Sequence, residues 1–248
     1  MRVLVTNDDG IDSPGLFALA RAASALGWEV LVAAPSTEAS GTGTSLASAD
    51  GRSRIRFERR QVDGFEALAV PAHPGLISFI ACHGGFGFKP DLVLSGVNLG
   101  ANTSTSILHS GTVGAALTAG VRGVSALAVS LDVEWNGPTP LWDTATEVAR
   151  AVLPMLADMP TATVLNLNVP NTATVRGVEW AEIAPASPYQ VRVETDGDEL
   201  RLRGGLTGLE PVPGTEVAYL AEGFAALTSL HSVGALPTAG LPSPAWPA

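Results

Sequence analysis

A doubly wound α/β fold on a mostly parallel sheet is the architecture this chain predicts, and three observations predict it. Apolar strand-like runs alternate with helix-like segments across residues 2–170, as parallel strands joined by crossover helices require. The chain opens strand, helix, strand, which implies a right-handed parallel crossover. Two of the strands also run directly into polar ends, Asn7-Asp8-Asp9-Gly10 and Ser95-Gly96-Val97-Asn98, and open α/β sheets bind ligands beyond such carboxyl ends.

The first strand is Arg2 to Thr6. Ser13-Pro14-Gly15 then opens a helix with a hydroxyl at the cap and proline at its first position. Leu16, Leu19, Ala20, Ala23 and Leu26 mark its apolar face, and Gly27 stops it. Trp28 to Ala34 is the second strand, ending in the polar loop Pro35 to Ser45. Asp63-Gly64 separates two strand-like runs within residues 52–70, a hairpin signal. A short helix, Leu76 to Cys82, leads to a strand over Leu92 to Ser95 and a polar loop reaching His109. Ser110 caps a helix over Gly111 to Ala119, followed by a strand at Val124 to Ser130. Thr139 to Ala157, with Pro154 inside, reads as helix, and Ala162 to Asn168 as strand. This is a Rossmann-like core, residues 1–170. From Val175 the pattern becomes strand-like and turn-rich, including Gln190 to Arg203. Residues 171–236 are therefore expected to form an extension packing on the core or on a neighbouring subunit. Residues 237–248 carry four prolines in twelve positions and read as a tail.

Bulk properties narrow the function. A chain of 248 residues with 46% hydrophobic residues and a mean hydropathy of +0.27 buries a substantial core. No apolar run reaches membrane-spanning length and the start is not a signal peptide, so a soluble cytoplasmic protein is expected. The single Cys82 permits no internal disulfide and no thiolate metal cage, and its apolar neighbours make it a core residue. A net charge of −10 argues against duplex nucleic acid as partner. It leaves room for a small phosphorylated substrate, provided a bound cation makes the local field positive. Five arginines, Arg52, Arg54, Arg56, Arg59 and Arg60, cluster in one segment, and the first three alternate as on the solvated face of a strand.

Asp8 and Asp9 are the most informative pair. Adjacent carboxylates repel unless a cation, hydrogen bonds or protonation relieves them. Turn or capping bonds are one answer. A hard divalent ion shared with oxygen donors from the Asn98 strand end is the other. Gly10 supplies the turn that swings both acids toward one point.

The motifs together resemble the SurE survival-protein family of metal-dependent nucleotidases and phosphatases. The likeness rests on Val5-Thr6-Asn7-Asp8-Asp9-Gly10-Ile11, Ala34-Pro35 with Ser40-Gly41, and Ser95 to Asn102. It continues through Ser110-Gly111-Thr112-Val113, Leu165-Asn166-Leu167-Asn168-Val169-Pro170 and Thr215-Glu216-Val217-Ala218. By position, the resemblance implies one divalent ion per subunit, Mg²⁺ or Mn²⁺, on Asp8, Asp9, Ser40 and Asn98, an all-oxygen set suited to hard cations. It also implies a phosphate pocket from Asn102, Ser110, Gly111 and Thr112, where free N–H groups at a helix start can meet an anion. Asp8 and Asp9 are then the catalytic acids of a phosphomonoesterase acting on nucleoside 5′- or 3′-monophosphates, with short polyphosphate a further substrate. Attack by water and a transient aspartyl-phosphate both stay open. A homodimer or homotetramer is implied as well, with the hairpin and extension used in assembly.

Several residues depart from the family pattern. Asp12 and Ser13 replace His and Ala, and His73 replaces Asp. Ser104 and Ser106 replace Gly and Asp, and His109 replaces Tyr. His109 is a candidate leaving-group acid, although as a tyrosine replacement it is more simply a wall of the pocket. The competing reading is a metal and nucleotide binding module with little turnover. An aspartyl-phosphate enzyme of another family ranks below it, because its carboxylates would stand two positions apart. A dinucleotide-dependent oxidoreductase is disfavoured, since no G-x-G-x-x-G follows the first strand.

Overall fold

Among the described residues eleven strands and five α-helices occur, and strands and helices alternate through residue 170 as the sequence implies. This computed structural model describes residues 1–133, 137–187, 189–206 and 208–231. The expected tail at 237–248 lies outside the described residues. In chain order the first elements are β1 (Arg2–Thr6), α1 (Pro14–Ser24), β2 (Glu29–Pro35), β3 (Glu58–Val62), β4 (Phe65–Val70) and α2 (Pro74–Cys82). Then come β5 (Leu92–Leu99), a 3₁₀ turn (Ser104–His109), α3 (Gly111–Val121), β6 (Ser125–Asp132), α4 (Trp142–Asp158) and β7 (Val164–Pro170). β8 (Val178–Trp180), β9 (Tyr189–Asp196), β10 (Glu199–Leu206), α5 (Glu216–Ala221) and β11 (Ala225–Leu230) complete the described elements.

Nine strands make one sheet, ordered β3-β4-β2-β1-β5-β6-β7-β11-β8, and the six from β4 to β7 run parallel. Helices α1 and α4 cover one face with Leu16, Leu19, Ala149 and Leu153, and α2 and α3 cover the other with Ile77, Val113 and Ala116. Burial on both faces explains why strands such as β1 and β2 read as near-continuous runs rather than alternating ones. Cys82 is a buried core thiol. Among the described residues no helix is long and apolar enough to cross a membrane.

Some local expectations need correction. Ser13 occupies the cap position of α1, but its side chain makes no cap hydrogen bond, so proline at the first position marks the start. The Asp63-Gly64 turn has both φ values positive, as a tight hairpin demands. Its strands β3 and β4 extend the main sheet at one side, for β4 pairs with β2. Arg52, Arg54 and Arg56 are exposed as expected but precede the strand, which begins at Glu58. β5 continues past Ser95 to Leu99 through a slip in its pairing with β6. β11 pairs antiparallel with β7 and holds β8 at the far edge, so the segment after residue 170 also contributes to the main sheet. Only β9 and β10 stand as a separate two-stranded sheet.

Candidate active site

The parallel strands reverse their order of travel at β1, with β2 on one side and β5 on the other. The crevice beyond their carboxyl ends is where a doubly wound sheet can hold a ligand. Asp8 and Asp9 follow β1 directly. The Asn7 amide donates to the Gly10 carbonyl at 3.0 Å, and the Ile11 N–H to the Pro35 carbonyl at 2.8 Å, which ties the acid turn to the end of β2. Gly10 has φ +99, and a Cβ there would lie 3.3 Å from the backbone of Thr37 and Glu38. A glycine is thus required for the loop after β2 to fold over the turn. That loop is then anchored by the Ala39 N–H on the Asp8 carbonyl at 2.7 Å, which brings Ser40 to the acids.

Asp8 is buried and held from behind. The Thr112 hydroxyl donates to its Oδ1, and the nearby backbone N–H groups of Gly111 and Thr112 favour its charged form. Burial pushes the Asp8 carboxyl above its ordinary value, against the pull of the Thr112 hydroxyl and those N–H groups. Asp9 lies in front. Burial, then the neighbouring Asp8 charge, push its carboxyl up to about 7, a Leu99 backbone bond opposes them, and Glu38 adds a smaller upward push. Its Oδ2 is buried with no hydrogen-bond partner, an arrangement that a cation would satisfy.

Asp8, Asp9, Ser40 and Asn98 line one cleft of about 500 Å³, and Asn102, His109 and Ser110 line its other walls. Asn98 lines the cleft and donates its amide N–H to the Gly100 carbonyl at 2.8 Å, so that bond does not use its amide oxygen, an acceptor. The Ser40 hydroxyl donates to Glu38 Oε1 at 2.9 Å, so its oxygen lone pairs are likewise spare. These donors fit a hard divalent ion: two carboxylates, a hydroxyl and an amide oxygen. Among the described residues no three His, Cys, Asp or Glu are placed to hold one ion by themselves, so the neutral oxygens are essential to such a set.

Gly111 and Thr112, expected along the phosphate pocket, are not among the residues lining the cleft. They pack against Asp8, to which the Thr112 hydroxyl donates. Ser110 caps α3, accepting from the Val113 N–H at 3.1 Å, while also facing the cleft. Asn102 is clamped from three sides. Its N–H donates to Asn168 Oδ1 at 2.8 Å, its amide to the Ser130 hydroxyl at 2.8 Å, and its carbonyl accepts from Asn166 and Asn168 at 2.9 and 3.1 Å.

Sequence reasoning missed Glu38, the third cleft carboxylate, and the clamp of Ser130, Asn166 and Asn168. Asparagines alternating with leucines in a buried strand were the available signal for the clamp, because a buried amide needs a partner. Glu38 stood two positions from Ser40 in a polar loop with nothing to distinguish it.

Residues 3–189 match the family model described as Survival protein SurE. A protein of Methanopyrus kandleri named 5′-nucleotidase SurE is 36% identical over 241 residues, covering 93% of this chain and 91% of the relative. Its namesake from Chloroflexus aggregans is 38% identical over 244 residues, covering 93% of each. Among solved structures, the SurE protein of Aquifex aeolicus superposes with a TM-score of 0.78 at 27% identity, over 94% of each chain.

Proposed function

Since the chain belongs to the SurE survival-protein family, we propose that it is a divalent-metal-dependent 5′-nucleotidase, hydrolysing nucleoside 5′-monophosphates to nucleoside and phosphate. The observation that carries this reading is the charge of the cleft: Asp8, Asp9 and Glu38 line it, and no Lys or Arg does. A phosphate dianion would be repelled there unless a cation intervened. Asp8, Asp9, Ser40 and Asn98 are the residues that would hold it, and Mg²⁺ or Mn²⁺ on such donors supplies the positive charge that binds and polarises a phosphoryl group.

The chain's own residues do the rest. Thr112 and the start of α3 immobilise Asp8, which favours a holding role for it and attack by water over attack by the carboxylate. Ser110, Asn102 and His109 bound the space beside the acids where the phosphate and leaving oxygen would sit. Leu99, half exposed on the same cleft, offers an apolar surface to the sugar or base. Nucleoside 3′-monophosphates and short polyphosphate are secondary substrates in this reading.

We place the protein in the cytoplasm as a homodimer or homotetramer. The β9–β10 hairpin supports assembly: Val191, Val193, Leu200 and Leu202 share one face of it and are all more than half exposed. Two strands alone are marginal in water, so that face calls for a cover.

A panel of 5′- and 3′-monophosphates and polyphosphate, assayed for released phosphate with Mn²⁺ or Mg²⁺, tests the function. The 5′-monophosphates should be the best substrates. A chain that nucleotide stabilises thermally, yet that releases no phosphate, would be the binding module instead. Gly111→Ala probes the grip on Asp8. The new Cβ would fall 2.8 Å from Asp8 Cβ and Oδ2. Turnover should fall by about 10²-fold through displacement of the acid, and stability by about 1–3 kcal/mol. Paired activity and melting measurements check this, and full activity in a folded variant would dismiss the proposed grip.

A further inference from the structure

Glu216, the first residue of α5, is a carboxylate with none of its surface exposed. Its Oε1 accepts the N–H of Ser104 at 2.6 Å and its Oε2 the N–H of Ala184 at 2.7 Å. Both oxygens accept, which is the pattern of a carboxylate, and bonds of this kind are short and strong. Burying such a group is costly, and packing alone would be served by an apolar side chain. What the acid adds is a link between two segments remote in sequence from each other and from α5.

One of those segments is the cleft wall. Ser104 has φ +55, the left-handed region that favours glycine, and it opens the 3₁₀ turn Ser104–His109 that brings Ser106 and His109 to the cleft. The far end of the turn is tied by the Gly43 N–H on the His109 carbonyl at 3.0 Å. The near end is tied by Glu216. The second segment is the base of the hairpin, since Ala184 lies shortly before β9.

We propose that Glu216 is a positioning residue for substrate binding: its carboxylate holds Ser104 in the left-handed conformation that sets the wall Ser104–His109, and joins that wall to the hairpin base. The inference rests on the reading of the cleft as a nucleotide site. Glu216→Gln sets an amide N–H₂ against a backbone N–H and removes one of the two bonds. The KM for a nucleoside 5′-monophosphate should rise about tenfold with kcat changed by less than about threefold, the signature of lost binding rather than lost chemistry. Backbone amides of residues 104–109 should exchange with solvent faster, a readout that needs no substrate.

Ser104→Gly supplies the decisive control, because glycine takes φ +55 without help. Added to Glu216→Gln, it should return KM to within about threefold of the parent. A purely structural glutamate would lower the melting temperature but leave KM unmoved and gain nothing from Ser104→Gly, and that result overturns the proposal. If Glu216→Gln does not fold, Glu216→Asp, whose shorter arm reaches only one N–H, takes its place with the same expectations. A wild-type chain inactive on every nucleotide would refute the nucleotidase reading alone. In that case unchanged exchange at 104–109 in the variant would still refute the wall-setting role.

Discussion

Replacing Asp9 by asparagine is expected to lower kcat/KM by at least about 10³-fold, the scale of losing a charge at a metal-assisted site, while making the metal-free protein more stable above neutral pH. The second half follows from burial. In the folded chain the Asp9 carboxyl is raised from 3.8 to about 7, by burial first and by Asp8 second. Between those values the folded state binds the proton more tightly than the unfolded state, so stability falls as pH rises through the window. Above about 7 the charged form is present in both states and the folded one bears the whole penalty. A shift of this size corresponds to about 4 kcal/mol. The neutral, equally sized asparagine escapes it. Melting the chelator-treated proteins between pH 4 and pH 8 should show the variant ahead at pH 8, with the gap closing toward pH 4. Wild-type turnover by Asp9→Asn under saturating Mn²⁺ would sink the site assignment.

Stripping divalent ions should abolish phosphate release, a loss of at least about 10²-fold, with recovery on adding Mn²⁺ or Mg²⁺. Among the described residues the cleft lining includes three carboxylates and lacks lysine and arginine, so no permanent side-chain cation there offsets a phosphate dianion. The same ions should raise the melting temperature, because they bind the folded chain alone. At a hundred times the dissociation constant that stabilisation is about 2.7 kcal/mol. It should be larger at pH 8 than at pH 5, because protons compete for Asp9 below about 7. Undiminished activity in excess chelator, with no metal found by elemental analysis, would exclude the metal-dependent reading.

The features legible along the chain are those with local causes. β1 ends at Thr6 as expected, α1 starts at Pro14, Ser110 caps α3, and the hairpin turns at Asp63-Gly64. Each follows from a few adjacent residues and their backbone preferences. The return of β11 to β7 had no such cue, because antiparallel pairing of distant segments leaves no local signature. Ser13 shows the limit of a local rule: it sits at the cap position, yet its hydroxyl is not used there.

For the site, the chain alone determined the donor chemistry. Adjacent acids after one apolar strand, with an asparagine after another, offer oxygen donors to a cation, and wherever they fold their like charge must be relieved by a cation, hydrogen bonds or protonation. Which groups face that charge was decided only in three dimensions. The Thr112 hydroxyl is taken by the Asp8 carboxylate, the Asn102 amide is drawn to Ser130, and Glu38 and Glu216 gain their roles from partners that folding brings near. A buried polar atom must bond to whatever lies within about 3 Å, and that neighbour is set by how the strands and loops pack.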